Sequence, residues 1–453
     1  MGPNVEVIET AELGDRSYVV HDGEVAVVVD PQRDLDRVER ILARLDLRCR
    51  LVLETHIHND YVTGGFELAR RSDARYGVAA GEDVWFLREP LADGAEREVG
   101  SLRVRAVATP GHTDHHLSYV VENGDGPAAV FTGGSLLYGS VGRTDLVAAD
   151  RTDELTRAQF HSARRLAAMV GDEAQIFPTH GFGSFCSSGS STGGENSTMG
   201  QERRRNDALV EEDEESFVAR LVAGLTAYPR YYAHMAGRNR RGPCAPDLSA
   251  SAPVEPAELR ARVRAGEWVV DLRDRAAFAA AHLPGSIGIG LGQQFSTYLG
   301  WLVPWGMPVT LVGESPEQIA EAQRQLVRIG IERPAGAAVG RPAELAAADG
   351  PAGYPRASFD DLAKARERGK APTVLDVRRE DERAAGAIPG AANIPLHALL
   401  ERLDDAPRDR LWVHCASGYR AAIAASLLAR AGHDVVLIDD EYSRAVELGL
   451  ATG

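Results

Sequence analysis

RLVLETHIHNDYVTGG, residues 50–65, decides how the first half of this chain is read. Residues 50–54 form an apolar run of the kind that makes a buried strand, and Gly64-Gly65 punctuates the far side. Residues 55–61 therefore lie on a strand-to-helix loop, which carries His56, His58 and Asp60 together. A second cluster, Thr109-Pro110-Gly111-His112, follows a strand candidate at 102–106, and a third is Pro178-Thr179-His180-Gly181. Histidines delivered by several loops of an α/β domain can converge on one metal at a sheet edge, which histidines scattered along helices rarely do. One HxH alone is weak evidence; several such clusters in this order predict a metal centre. Imidazole suits zinc and iron, and a carboxylate added to two histidines favours Fe(II).

Outward from this loop, residues 25–30 (VAVVVD) and 128–131 read as further buried strands, while residues 35–45 and 154–170 carry apolar side chains at helical spacing. That alternation predicts an α/β domain. A polar stretch at 187–197, SSGSSTGGENS, and a charged helix candidate at 211–225 end this half. Pro243, Pro246 and Pro253 then punctuate a Ser/Ala-rich segment, and the main boundary is placed at 244–254. Beyond it the chain repeats itself. Val270-Asp271-Leu272-Arg273 precedes Leu283-Pro284-Gly285-Ser286, and Leu375-Asp376-Val377-Arg378 precedes Ile388-Pro389-Gly390-Ala391, with the same Asp-to-Pro spacing in both. Each copy runs through a strand (309–312; 411–414) into a helix (316–329; 420–431), so two small domains of one parent fold are expected, joined by residues 341–355. The expected domain limits are 1–243, 254–345 and 354–453.

At 453 residues the chain exceeds what one hydrophobic core usually organises. Its 44% hydrophobic and 26% charged content is that of a packed globular protein. With 66 acidic against 50 basic side chains, the formal charge of -16 argues against nucleic acid as a partner, since no basic stripe with interleaved aromatics offsets it. Cys49, Cys186, Cys244 and Cys415 lie far apart without a CxxC pair, which suits separate thiols in a reducing compartment. MGPNVEVIET has neither a basic n-region nor an apolar h-region, and no apolar run approaches the roughly 20 residues that span a bilayer. No membrane partner and a cytoplasmic location are the expectations.

THIHNDYVTGG (55–65), TPGHT (109–113), FTGGSLLYGSVGRTDL (131–146) and FPTHGFGSFC (177–186) resemble the ordered metal motifs of the metallo-β-lactamase superfamily, and of its persulfide dioxygenase branch in particular, over about the first 243 residues. The resemblance implies an N-terminal αββα metallo-β-lactamase sandwich. It also implies a single Fe(II) held by His56, by His112 and by the aspartate of an FTGD motif, but here FTGG places Gly134 at that aspartate's position. Tyr61 stands where the superfamily often has another histidine. A dinuclear zinc centre is thereby disfavoured, because its bridging carboxylate is gone and Asp60 and His180 alone remain for a second metal. The expectation is one metal per chain, iron first and zinc second, on His56, His58 and His112, with Asp60 or water completing the shell. The resemblance also sets Arg143 and Tyr61 on the substrate side. Arg143 would fork onto a carboxylate of a glutathione-like thiol, or equally would be fixed in a structural ion pair. Cys186 reads as a buried small hydrophobe, with a persulfide relay as the alternative.

In the last repeat, Trp412-Val413-His414 leads into Cys415-Ala416-Ser417-Gly418-Tyr419-Arg420, ahead of the helix AAIAASLLARAG. A thiol between a strand and a helix N-terminus faces backbone N–H groups and the positive end of the helix dipole, which favour the thiolate and cradle an anionic sulfur. Arg420 adds a cation at the edge of the loop. With LDVR and IPGA upstream, this loop resembles the active-site loop of single-domain rhodaneses; cysteine phosphatases use a loop longer by a residue. The resemblance implies Cys415 as nucleophile, Arg420 beside it, and Ser417 and Gly418 against the substrate. Asp439-Asp440-Glu441-Tyr442 stands where a Gly-Gly run is frequent and adds negative charge. The central repeat reads Gly313-Glu314-Ser315-Pro316 at the equivalent position, without a thiol, so a scaffold or a dimer contact is its expected use.

These resemblances together imply an α/β enzyme, an αββα sandwich followed by two rhodanese-like domains with parallel sheets. Its implied chemistry is oxidation of a low-molecular-weight persulfide such as glutathione persulfide to sulfite, with sulfur transfer through Cys415 and thiosulfate as product. Two other classes stay open: a thioester hydrolase in the manner of glyoxalase II, and a sulfurtransferase or persulfide-binding protein whose first domain has lost catalysis. A homo-oligomer stays open as well.

Overall fold

The strand Val25–Val29 (VAVVV) is apolar at every position because both of its faces are covered; all five residues are buried. In the computed structural model, which describes residues 2–188, 196–347, 350–368 and 371–452, it is β3 of a six-stranded sheet. Most of the polar stretch read at 187–197, and residues 348–349 of the joining segment, lie outside the described residues. Around β3 the sheet runs in chain order through β1 (Asn4–Thr10), β2 (Asp15–His21), β3, β4 (Arg48–Leu53), β5 (Arg75–Ala79) and β6 (Glu89–Leu91). A second six-stranded sheet is built from β7 (Glu96–Val99), β8 (Leu102–Ala108), β9 (Leu117–Asn123), β10 (Ala129–Gly133), β11 (Gln175–Pro178) and β12 (Ser197–Thr198), also in chain order.

Side-chain alternation makes the layers. Tyr18, Val27, Val29, Leu51 and Leu53 from one sheet meet Val104, Ala106, Leu117, Tyr119 and Phe131 from the other in a common core. The opposite faces are covered by helices. Val28, Val52 and Val78 pack under Asp36–Arg44 and Gly65–Ser72, while Val107, Val130 and Ile176 pack under Thr152–Met169 and Glu214–Gly224. Each fully buried Leu or Val in these layers contributes about 1.5–3 kcal/mol. This is the αββα sandwich expected from the sequence, with helices predicted at 35–45 and 154–170 found within a residue or two of those limits.

Strand direction places the loops that matter. β3 and β4 pair in parallel, as do β10 and β11, and β8 runs with β10 because each is antiparallel to β9. The segments leaving β3, β4, β8, β10 and β11 are those that carry Asp30, the His56–His58 pair, His112, Gly134 and His180.

The contacts divide the chain into two units, Met1–Asp247 with Leu326–Gly330, and Leu248–Gln325 with Ile331–Gly453. The second unit contains two all-parallel sheets. One has the order β14-β13-β15-β16, from β13 (Trp268–Asp271), β14 (Ile287–Gly288), β15 (Val309–Gly313) and β16 (Gly336–Val339). The other has the order β17-β21-β20-β18-β19, from β17 (Arg356–Ala357), β18 (Thr373–Asp376), β19 (Ala392–Asn393), β20 (Leu411–His414) and β21 (Val435–Ile438). Both repeated strand-to-helix steps are present, as β15 into Pro316–Arg328 and β20 into Tyr419–Arg430. All four cysteines are free thiols, and among the described residues no helix is long and apolar enough to cross a membrane.

Candidate metal centre and thiol loop

Each histidine at the sandwich edge has at least one ring nitrogen occupied, and the occupant fixes what the other can do. Thr55 Oγ1 donates to Asp30 Oδ2 at 2.7 Å, so it accepts from His56 Nδ1 at 2.9 Å, which leaves the ring's lone pair on His56 Nε2. His112 Nδ1 donates to the Arg143 carbonyl at 2.7 Å, which frees His112 Nε2 in the same way. His58 is turned the other way: its Nε2 lies 3.2 Å from Asp30, 3.3 Å from Glu54 and 2.9 Å from the Tyr61 hydroxyl, while its buried Nδ1 has no hydrogen-bond partner. His180 Nδ1 is 2.9 Å from Asp15 and 3.2 Å from Asp60, and its Nε2 stands 3.4 Å from His56 Nε2. Asp30 organises much of this. It sits just past β3 at φ 50°, a left-handed conformation aspartate tolerates, and also binds the Thr55 backbone N–H at 2.7 Å and the Thr179 hydroxyl.

The electrostatics follow the partners. Burial holds the His56 imidazole well below its ordinary range and lowers His112 to about 3. Burial disfavours charge on His58 too, but Asp30 and Glu54 outweigh it and raise the ring to about 9. His180 is raised likewise, its burial outweighed by Asp60 and Asp15.

The nitrogens gather differently from the expected trio. His56, His58 and His180 form one set of ligand atoms within 4.8 Å of one another, and His112, His180 and Cys186 form another. His180, which the sequence reading left over for a second metal, is the member both share. The His56 ring lies 4.1 Å from the His58 ring and 4.8 Å from the His112 ring, centroid to centroid. Asp60 is buried beside His180, with both carboxylate oxygens lacking a hydrogen-bond partner. These donors fit a metal ion: a buried ring nitrogen without a partner on His58, neutral imidazoles on His56 and His112, and second nitrogens anchored by acceptors.

Gly134 has a positive role in this arrangement. A side chain there would collide with the His112 ring, and one at Gly142 would meet His112 Nδ1 at 2.8 Å, so the two glycines form the slot in which the imidazole lies. His116 is not available: its Nε2 accepts from the Gly134 N–H at 3.1 Å and its Nδ1 meets Thr109 Oγ1 at 2.9 Å.

Arg143 has its guanidinium engaged within the protein. It is 2% exposed, forks onto Asp145 at 2.7 Å through Nε and Nη2, and donates to the carbonyls of Phe185 and Thr226. The structural ion pair of the two readings is the one found. Tyr61 is also internal, stacked on His58. Sequence reasoning missed Asp15, Asp30 and Glu54, which hold the histidines, and Tyr232 on the helix Tyr232–Arg240, whose hydroxyl bonds the buried Cys186 sulfur.

In the second unit, Cys415 directly follows β20 at 1% exposure, and Gly418, at φ 86°, turns the chain into the helix Tyr419–Arg430. A Cβ at that turn would meet Asp439 Oδ1 at 2.5 Å, so glycine is needed for space as well as for conformation. Ser417 is exposed beside it. Arg420 is not a free cation: Glu382 grips it at 2.5 and 2.6 Å. Nor does Asp439 leave its charge on the loop, because Arg275 at 2.6 Å and Arg356 at 2.9 Å neutralise it. Tyr298 lies near both Cys415 and Arg420, and the Tyr419 hydroxyl donates to the Gly290 carbonyl at 3.0 Å.

Residues 13–180 match the family model of the metallo-beta-lactamase superfamily, and residues 358–446 match that of the rhodanese-like domain. The chain carries a metallo-beta-lactamase domain followed by a C-terminal rhodanese-like domain. The hydroxyacylglutathione hydrolase of Cupriavidus taiwanensis is 33% identical over 174 residues, which is 36% of this chain and 61% of that protein. The hydroxyacylglutathione hydrolase-like protein of Homo sapiens is 37% identical over 122 residues, 26% of this chain and 41% of that protein. Less than two thirds of either relative is spanned. A solved metallo-beta-lactamase from Staphylococcus aureus superposes with a TM-score of 0.66 at 24% identity, covering 74% of this chain and 98% of that one, which speaks for the fold.

Proposed function

We propose that this chain oxidises the terminal sulfur of a low-molecular-weight persulfide at a single metal, Fe(II) rather than Zn, and moves sulfane sulfur through Cys415, with domains at 1–243, 254–345 and 354–453. The observation that carries the reading is the filling of the Gly134 position by the His112 ring, which leaves several imidazoles for one ion and no bridging carboxylate for two. His56, His58, His112 and His180 would hold it, with Asp60 alongside. The ion, when bound, supplies the dioxygen chemistry that imidazoles cannot. The protein's own part is orientation: Asp30 and Glu54 fix the His58 ring, Asp15 and Asp60 fix His180, and burial of the whole cluster keeps bulk water away. The overall reaction balances as persulfide, dioxygen and water giving thiol, sulfite and two protons.

At the other site, the Cys415 thiolate would attack a sulfane sulfur, and the donor's S–S bond would break with its electron pair leaving on the donor. Attack by sulfite on the resulting Cys415 persulfide would then give thiosulfate and restore the thiolate.

A second reading, thioester hydrolysis, is favoured by the printed names of the relatives, both hydroxyacylglutathione hydrolases or hydrolase-like. Three measurements on the full chain divide these readings. Metal analysis should find about one ion per chain, lost in His112→Ala. Oxygen uptake with a small-molecule persulfide should be metal-dependent, and S-lactoylglutathione should stay uncleaved. Metal-independent protein that consumes no oxygen would leave only the chemistry of Cys415; thioester cleavage would restore the hydrolase.

A further inference from the structure

Over the histidine loops of the first unit lies a cavity of about 750 Å³. Ile57 and Asn59, on either side of His58, Thr113, next to His112, and Tyr232, which bonds Cys186, all form its wall, so it borders the loops that carry the histidine cluster. Its charged lining is lopsided: Glu82, Asp83 and Asp114 against Arg240. Arg240 stands 3.3 Å from Glu82, and Asp114 is matched by Arg151 at 2.8 Å. The cation that could have received a substrate carboxylate, Arg143, is buried on Asp145 and two carbonyls. The remaining wall is uncharged, with Tyr228 and Tyr232 stacked at 5.8 Å.

We infer that the thiol carrying the persulfide into this cavity is neutral or cationic away from its sulfur, and that the site selects against dicarboxylic carriers such as glutathione. This rests on the persulfide reading for the chemistry, but the selectivity is a property of the cavity alone. A carrier with two carboxylates meets like charge in a concave, partly desolvated space where fields are focused, and the one lining guanidinium, Arg240, already faces Glu82 at 3.3 Å. A carrier with hydroxyls or an ammonium finds carboxylate acceptors there. Rejection by juxtaposed like charge is a means of specificity that needs no attractive contact.

The test keeps the peptide backbone constant and changes charge, with salt and Asp83→Lys separating charge from the added ethyl groups. S-methylglutathione and its diethyl ester, titrated calorimetrically into the zinc-loaded full chain, should differ by about tenfold in Kd in favour of the ester. That gap should narrow in about 0.5 M salt and in Asp83→Lys, an exposed position where folding is not at stake. Equal or tighter binding of the free acid, or a gap indifferent to both salt and Asp83→Lys, overturns the inference. The persulfides of the same pair, followed by oxygen uptake, judge the chemistry separately: uptake with neither sinks the oxidative reading while the calorimetry still decides the charge preference.

Discussion

The two parallel-sheet domains of the second unit share a scaffold and part company in one loop. At the end of β13, Arg273 grips Asp271 at 2.6 Å and reaches the Ala281 carbonyl at 2.9 Å; at the end of β18, Arg378 grips Asp376 at 2.8 Å and reaches the Gly386 carbonyl at 2.7 Å. Both forks tie a strand end to the carbonyl eight residues ahead, and this is why VDLR with LPGS and LDVR with IPGA recur at one spacing. The repeated motif is a brace, not a catalytic device. After β15, the Gln318 side chain accepts from the Glu314 N–H at 2.8 Å and donates to the Leu272 carbonyl at 3.1 Å, so the helix entry is occupied by the protein itself. After β20 the corresponding place belongs to Cys415. Fold and chemistry are thus separable in this unit, and each can be broken without the other.

Cys415→Ser should give the largest effect, lowering thiosulfate-to-cyanide transfer by at least about a thousandfold, while the urea midpoint stays nearly fixed. Transfer that survives would assign the sulfur chemistry to another of the chain's thiols. Breaking the brace should do the reverse. Asp271→Asn and Asp376→Asn each leave a buried guanidinium without its counter-ion, a loss of about 3 kcal/mol by chemical denaturation. Similar costs in both copies are expected from the matched geometry, and a cost in only one would show that the forks are not equivalent. A smaller change is expected of Glu382→Gln. Glu382 competes with anionic substrates for Arg420, so releasing that cation should lower the KM for thiosulfate by about three- to tenfold with kcat unchanged. A raised KM would instead make Glu382 the residue that holds Arg420 in place.

Much of this was legible before the fold was seen. Histidines at the ends of apolar runs stand out because a buried strand has little other reason to close on imidazole, and the repeat stands out because an Asp–Arg fork fixes spacing. Asp30 and Glu54 close the same two runs, VAVVVD and RLVLE, and reading polar strand ends as partners of the histidines would have found them. Asp15 and Tyr232 gave no such signal: one comes from the start of β2 and the other from a helix near the end of the unit, and only tertiary packing brings them to His180 and Cys186. Gly134 was legible as the loss of a carboxylate, but the slot it makes for the His112 ring exists only in three dimensions. The same holds for charge. Asp439 looked like a negative charge on the thiol loop until Arg275, far away in sequence, was found against it.

The smallest expected effect concerns acid. Burial pushes the Asp376 carboxyl up, but the hydrogen bonds and charge of Arg378, with His414 nearby, outweigh it and hold the pKa below the ordinary aspartate range. A carboxylate depressed in the folded state contributes its stability above the unfolded value of about 3.9 and loses it as the pH falls through the folded value. Asparagine cannot titrate, so the gap in urea midpoint between the parent chain and Asp376→Asn should be flat from neutral pH down to about pH 5 and should close progressively below about pH 4. Glu382, held low by Arg420 against its own burial, acts in the same direction in both proteins and cancels in the comparison. A gap that stays constant through pH 3 would mean that the brace resists acid by packing and hydrogen bonding alone, and that the charge on Asp376 is incidental to it.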